Sequence, residues 1–204
     1  MNLDRFRLIF IVVTAIIMLL VASPAMSRLL VYPRTEFFTE MWLLDQNQTA
    51  DNYPYNVVSG QNYTVYLGLG NQLGYCAYYL VEVKLRNDFM SAPSSFGPVD
   101  DATPSVLPSL CNITAFVPDQ SVWQVPLTFS FSYGFSATGT EVRFRSLTLN
   151  GEVLNLAGYR TIWNSTRSVF PMNLFFEAWI YNATTSSFQY HARWVGLQFN
   201  MTSA

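Results

Sequence analysis

The sequence predicts an all-β fold, an immunoglobulin-like antiparallel β-sandwich preceded by one N-terminal transmembrane helix. Three observations lead there. An uncharged apolar run fills residues 8–26, the hydrophobic period from about Phe37 onward is two rather than 3.6, and no long amphipathic helix follows. Residues 1–30 therefore read as an N-terminal tail and anchor, and residues 31–204 as an extracytoplasmic sandwich of about seven or eight strands.

The apolar run comes first. Its nineteen uncharged residues, Leu8 to Met26, would span about 28 Å as a helix, close to the roughly 30 Å hydrocarbon thickness of a bilayer. The same stretch also suits a cleaved signal peptide, because Arg5 and Arg7 form a basic n-region and Ser23-Pro24-Ala25 or Ala25-Met26-Ser27 offers small residues at cleavage spacing. Both readings export the rest of the chain. Charge does not fix the orientation, since Arg28 and Arg34 balance Arg5 and Arg7. Glycosylation acceptors are more informative. Asn-x-Thr occurs at Asn47, Asn62, Asn112, Asn164, Asn182 and Asn200, six of the fourteen asparagines, where chance gives about two. That excess favours covalent N-glycans on an external domain, with the N-terminus cytoplasmic. A chain merely rich in Asn and Thr at turns is the competing explanation.

Composition narrows the function classes. Of 204 residues, 50% are hydrophobic, 16% aromatic and only 12% charged, against about a quarter charged in ordinary soluble domains. A net charge of -2 with a single lysine, Lys84, leaves no basic stripe for a nucleic-acid backbone. Two cysteines and one histidine exclude a four-thiolate zinc site and most histidine-based chemistry.

The strands follow in order. Tyr63, Val65, Leu67 and Leu69 alternate with polar or small residues, as do Tyr79, Val81, Val83 and Leu85. The clearest alternation is Trp123 to Ser136, with Trp123, Val125, Leu127, Phe129, Phe131, Tyr133 and Phe135 on one face and mainly hydroxyl side chains on the other. Asn150-Gly151 suits a type I′ hairpin turn, which needs positive φ at both central residues. Asn87 to Leu110, with four prolines, is longer than an ordinary connection. Cys76 and Cys111 bracket it and are expected to pair in an oxidising compartment, with two buried free thiols as the alternative.

The last hairpin carries the possible ligand face: Glu177, Trp179, Tyr190, His191 and Trp194. Pairing Tyr181 with Phe188 sets Trp179 against Tyr190 and Phe175 against Trp194. The same register puts Val195 and Leu197 on the other face from these aromatics, so a bulge near Trp194 or a one-residue shift is expected. Neither Glu177 nor His191 has a visible nucleophile or metal partner, so no catalytic residue is assigned. The aromatics fill a core, bind a sugar, or belong to a membrane-interface belt, where Tyr32 and Trp42 are candidates.

Thr39-Glu40-Met41-Trp42-Leu43-Leu44, then Ala50-Asp51-Asn52-Tyr53-Pro54, Gly60 and Gly68-Leu69-Gly70-Asn71 together resemble an archaeal membrane-protein family called domain of unknown function 1616. The match covers Thr39 to Leu85. Asp45 stands where the family usually has glycine, and one span replaces the several of many members. The resemblance implies an extracytoplasmic β-domain on an archaeal membrane and brings no catalytic residues. The expected function is thus a membrane-anchored, N-glycosylated cell-surface structural or interaction module without enzymatic activity, cofactor, metal or nucleic-acid partner. Its expected partners are the membrane and proteins of a cell-envelope assembly; a glycan-binding surface domain is the alternative.

Overall fold

The computed structural model describes residues 3–29, 36–90 and 103–203, with helix side chains described over 6–21 apart from Leu8. The chain divides into a helical unit, Met1–Glu36, and a sheet unit, Phe37–Ala204. In the first, α1 runs over Leu3–Leu29. Among the described residues no helix is long and apolar enough to cross a membrane. The expected span Leu8–Met26 reaches beyond them, because the side chains of Leu8 and of residues 22–26 lie outside the described set, as do the 30/31 boundary and Tyr32.

The second unit is all-β, a sandwich of two sheets. One runs in the order β1 (Phe38–Leu44), β3 (Tyr63–Gln72), β6 (Ser121–Phe135), β7 (Glu141–Leu149) and β8 (Glu152–Asn155), with β9 (Arg160–Ile162) also on β7. The other runs β2 (Asn56–Val58), β11 (Ser187–Thr202), β10 (Pro171–Asn182), β4 (Ala77–Arg86) and β5 (Cys111–Val117). Eleven described strands exceed the expected seven or eight because three of them, β2, β8 and β9, are only three or four residues long and carry too little alternation to read.

Alternation decides which side chains meet between the sheets. Leu127, Phe129, Phe131 and Tyr133 of β6 point inward and are buried, while Thr128, Ser130 and Ser132 are half-buried on the opposite face. Val65, Leu67 and Leu69 of β3 and Tyr79, Val81, Val83 and Leu85 of β4 join the same core. Phe199 of β11 bridges the layers, its ring 5.3 Å from Phe129 and 5.7 Å from Phe131. Asn150 and Gly151 both have positive φ, 47° and 88°, and turn β7 into β8 as the sequence predicts.

The family-like residues are explained by close packing of β1 on β3. Trp42 lies across Gly68, where an added Cβ would come within 2.1 Å of the indole, and Glu40 crowds Gly70 in the same way at 2.7 Å. Trp42 donates from its indole to Gln124 Oε1 at 3.2 Å, which ties it to the sheet. Asn71 is buried with its amide fully used. It donates to the carbonyl oxygens of Tyr75 and Val117 and accepts from the Leu73 amide. Asp45, the departure from the family pattern, is buried and accepts from the Asn47 and Thr49 amides, closing the turn after β1.

The expected Cys76–Cys111 disulfide is corrected: both thiols are free. The register is the reason. Cys111 pairs with Val83, while Ala77, next to Cys76, pairs with Val117 at the other end of the same two strands. Seven residues along the strand direction separate the two cysteines by about 23 Å, far beyond the roughly 7 Å Cα limit for bridging.

Gly68→Ala drives a methyl group into the Trp42 ring. It is expected to lower the unfolding free energy in a denaturant titration by about 1 to 3 kcal/mol, and Trp42→Ala in the same chain to recover part of the loss. An unchanged midpoint for Gly68→Ala would contradict this packing.

Candidate functional site

The outer face of the five-stranded sheet carries the unusual chemistry. Antiparallel partners share a face, so Glu177 of β10 sits between Glu82 of β4 and Trp194 of β11, and Trp179 pairs with Tyr190. Lys84 lies two residues along on the same face, opposite Phe175. Residues 103–110, the described end of the long proline-rich connection, supply contacts over this face. Ser105 donates its amide to Glu177 Oε1 at 2.8 Å, and its carbonyl oxygen accepts from Lys84 Nζ at 3.1 Å.

The centre is a buried ion triad. Lys84 Nζ lies 2.6 Å from Glu177 Oε2 and 2.9 Å from Glu82 Oε2, and the lysine and Glu177 side chains are 4% and 0% exposed. Burial opposes the ammonium charge, but the hydrogen bonds and charges of Glu177 and Glu82 outweigh it, so the Lys84 pKa stands above its ordinary value. Trp179 donates its indole N–H to Glu82 Oε2 at 2.9 Å. The Tyr190 hydroxyl is buried with no hydrogen-bond partner among the described residues. Burial, helped by the Glu177 charge, pushes its pKa up to about 12.

Of the expected ligand face, Glu177, Trp179, Tyr190 and Trp194 do share one side, while His191 does not. The register Tyr181–Phe188 and Trp179–Tyr190 is as predicted. Of the two alternatives a bulge is found, at His191 and Ala192, two to three residues before Trp194, since the next pair is Ala178–Arg193. Ala192 takes φ 53° there. In consequence Phe175 pairs with Gly196 rather than Trp194; because two residues are inserted, the facing of later residues is unchanged, and Val195 and Leu197 lie on the core side with or without the bulge. His191 points toward the first sheet, its Nε2 2.7 Å from Thr39 Oγ1, which lies 2.8 Å from the Tyr79 hydroxyl. Burial, with the charge of Arg193, lowers the His191 pKa to about 4.

The six acceptor asparagines differ in exposure. Asn47, Asn62 and Asn112 are exposed, whereas Asn164, Asn182 and Asn200 are half-buried. Asn164 donates to Asp88, Asn182 to Gln189, and Asn200 to Asn56 while accepting from the Phe170 amide. Asn200 thus ties strands together, although its parity suggested a free outward position.

An aromatic strip runs along one end of the same outer face. Tyr78 stacks on Phe116 at 4.2 Å, with Phe188 5.2 Å from Tyr78 and 5.4 Å from Tyr181. It borders an open hollow of about 600 Å³, to which Tyr75, Asn182 and Gln189 also contribute.

Sequence reasoning missed Glu82, Lys84 and Ser105. Glu82 and Lys84 occupy the polar parity of β4, which reads as water-facing until a covering segment is known. The only advance signal was that Lys84 is the sole lysine.

Unfolded histidine titrates near 6.5 and folded His191 near 4, so the unfolded chain binds the additional proton between those values. Stability from the neutral, buried imidazole is complete above about pH 6.5 and falls toward pH 4 by on the order of 3 kcal/mol. Asp45, held below its ordinary value by the Thr49 amide despite burial, loses its contribution only at lower pH. His191→Gln is therefore expected to flatten the pH dependence of unfolding between about 4 and 6.5; an unchanged slope there would contradict the assignment.

No family model matches the chain, and no curated protein matches it. Solved structures resemble it weakly. A β-glucosidase from Listeria innocua aligns with TM-score 0.36 and 8% identity over 85% of this chain and 17% of that one. A PapD-like domain of human CEP192 aligns with TM-score 0.30 and 10% identity over 86% and 93%. A β-D-glucoside glucohydrolase from Trichoderma reesei gives 0.30 and 10% over 83% and 19%. The chain thus spans under a fifth of either glucosidase.

Proposed function

We propose that this chain is a membrane-anchored, N-glycosylated cell-surface module with a structural or interaction role in a cell-envelope assembly. The observation that carries the reading is the exposure of Asn47, Asn62 and Asn112, each followed by threonine at the third position. They stand respectively in a loop, just before β3 and on the outer side of β5, so glycans there would extend into solvent. The anchor rests on the uncharged sequence Leu8 to Met26 within a segment helical over Leu3–Leu29. In this reading the N-terminus is cytoplasmic and the sandwich is of immunoglobulin-like type, as its two largely antiparallel sheets support. Kinship with the archaeal family belongs to the same proposal. A non-enzymatic role is supported by the state of Glu177, enclosed and ion-paired rather than open to a substrate.

Protein isolated from its own cells should run above its sequence mass and shift down on chemical deglycosylation. Asn47→Gln, Asn62→Gln and Asn112→Gln should each remove one step. A single unshifted band at the sequence mass would overturn the glycoprotein reading.

A second reading, glycan recognition, is favoured by the strip of Tyr78, Phe116, Tyr181 and Phe188 beside the amides of Asn182 and Gln189, since flat rings and amides suit pyranose faces and hydroxyls. Binding to a glycan panel should be lost in Phe116→Ala; no binding by the wild-type chain would remove this reading.

A further inference from the structure

Lys84 and Glu177 lie 93 residues apart in sequence and meet across two neighbouring strands. The pair and three groups around it are arranged as a condensation would need. The amine nitrogen lies against the carboxyl group, 2.6 Å from Oε2. The Ser105 amide donates to the other oxygen, Oε1, which would carry the negative charge of a tetrahedral intermediate. Glu82 Oε2 stands 2.9 Å from Nζ with its side chain 20% exposed, close enough to take a proton from the nitrogen and connected to the surface. The indole of Trp179 holds that same oxygen in place. Water has little access to the reacting pair, whose side chains are 4% and 0% exposed, so the reverse hydrolysis is disfavoured.

We propose that Lys84 and Glu177 become joined by an intramolecular isopeptide bond that the folded chain forms by itself, with Glu82 as the proton carrier. The reaction starts from the resting ion pair, and one proton moves from Nζ to Glu177, giving a neutral amine and a carboxylic acid. The nitrogen attacks Cδ of Glu177, and the charge that develops on Oε1 is held by the Ser105 amide. Glu82 accepts a proton from the nitrogen and returns it to the departing Oε2 hydroxyl. The Cδ–Oε2 bond breaks, water leaves, and the Cδ–Nζ amide remains, with Glu82 again a carboxylate. No oxidant, metal or cofactor enters the balance. Each molecule reacts once, so a rate far below that of an enzyme suffices. The inference is independent of the cell-surface reading, and its failure would leave that reading standing.

The full chain, chemically deglycosylated if it carries sugar, is denatured and measured by intact mass spectrometry. The expected mass is one water below that of the sequence. Trypsin should fail to cut after Lys84, and a branched peptide should join the Lys84 and Glu177 segments. Because Lys84 is the only lysine, the assignment is unique, and a dehydrated aspartate elsewhere would give no branched peptide. Glu82→Gln, which keeps the shape of the side chain, and Glu177→Ala should both restore the full mass and the cleavage after Lys84. Wild-type protein with the full sequence mass and ordinary cleavage at Lys84 would overturn the proposal. So would a branched peptide that persists in Glu177→Ala.

Discussion

The packing of Phe199 between Phe129 and Phe131 is the contact on which the sheet unit turns. One ring from the five-stranded sheet packs against two adjoining rings of the six-stranded one, and the three form a triangle that joins the layers. Rings of this size each bury well over a hundred square ångströms and dominate a core of this kind. Tyr133 secures the same seam with a polar tie, donating to the carbonyl oxygens of Val57 and Thr202, so that β2 and the end of β11 are fixed to β6.

Much of this was legible in the sequence. The inward residues of β3, β4 and β6 follow from period-two alternation alone, because a strand with one buried face has few other ways to be written. Asn150-Gly151 was equally clear, since its turn demands a conformation that few residue pairs tolerate. Long-range placement was not legible. The free state of Cys76 and Cys111 depends on the register of β4 with β5, and nothing local to either cysteine encodes it. The two-residue bulge at His191 and Ala192 leaves the facing of later residues unchanged, so alternation carries no sign of it; its location is set by contacts with Thr39, on a strand about 150 residues away. The triad of Glu82, Lys84 and Glu177 was hidden for a related reason. Polar parity says which face a residue takes, and it does not say whether that face is later covered.

The residues of the family-like segment have a common physical role. Thr39, Trp42, Gly68, Gly70 and Asn71 all serve the approach of β1 to β3 and its connection, through the Thr39 hydroxyl and the Tyr79 ring, to the second sheet. They specify how one edge of the sandwich is built.

The pairing of β11 has a consequence for biosynthesis. This last described strand in chain order lies between β2 and β10, and its partnership with β2 is the parallel one. A nascent chain that has released everything up to β10 still lacks an inner member of one sheet and the ring that enters the other. Until about residue 199 has emerged, Phe129 and Phe131 have only rings of their own sheet beside them, Tyr63 and Phe144, and the early strand β2 has nothing to add to. Completion of the fold is thus deferred until β11 has been synthesised, and the unfinished sheet offers an open edge of the kind that holding factors would shield.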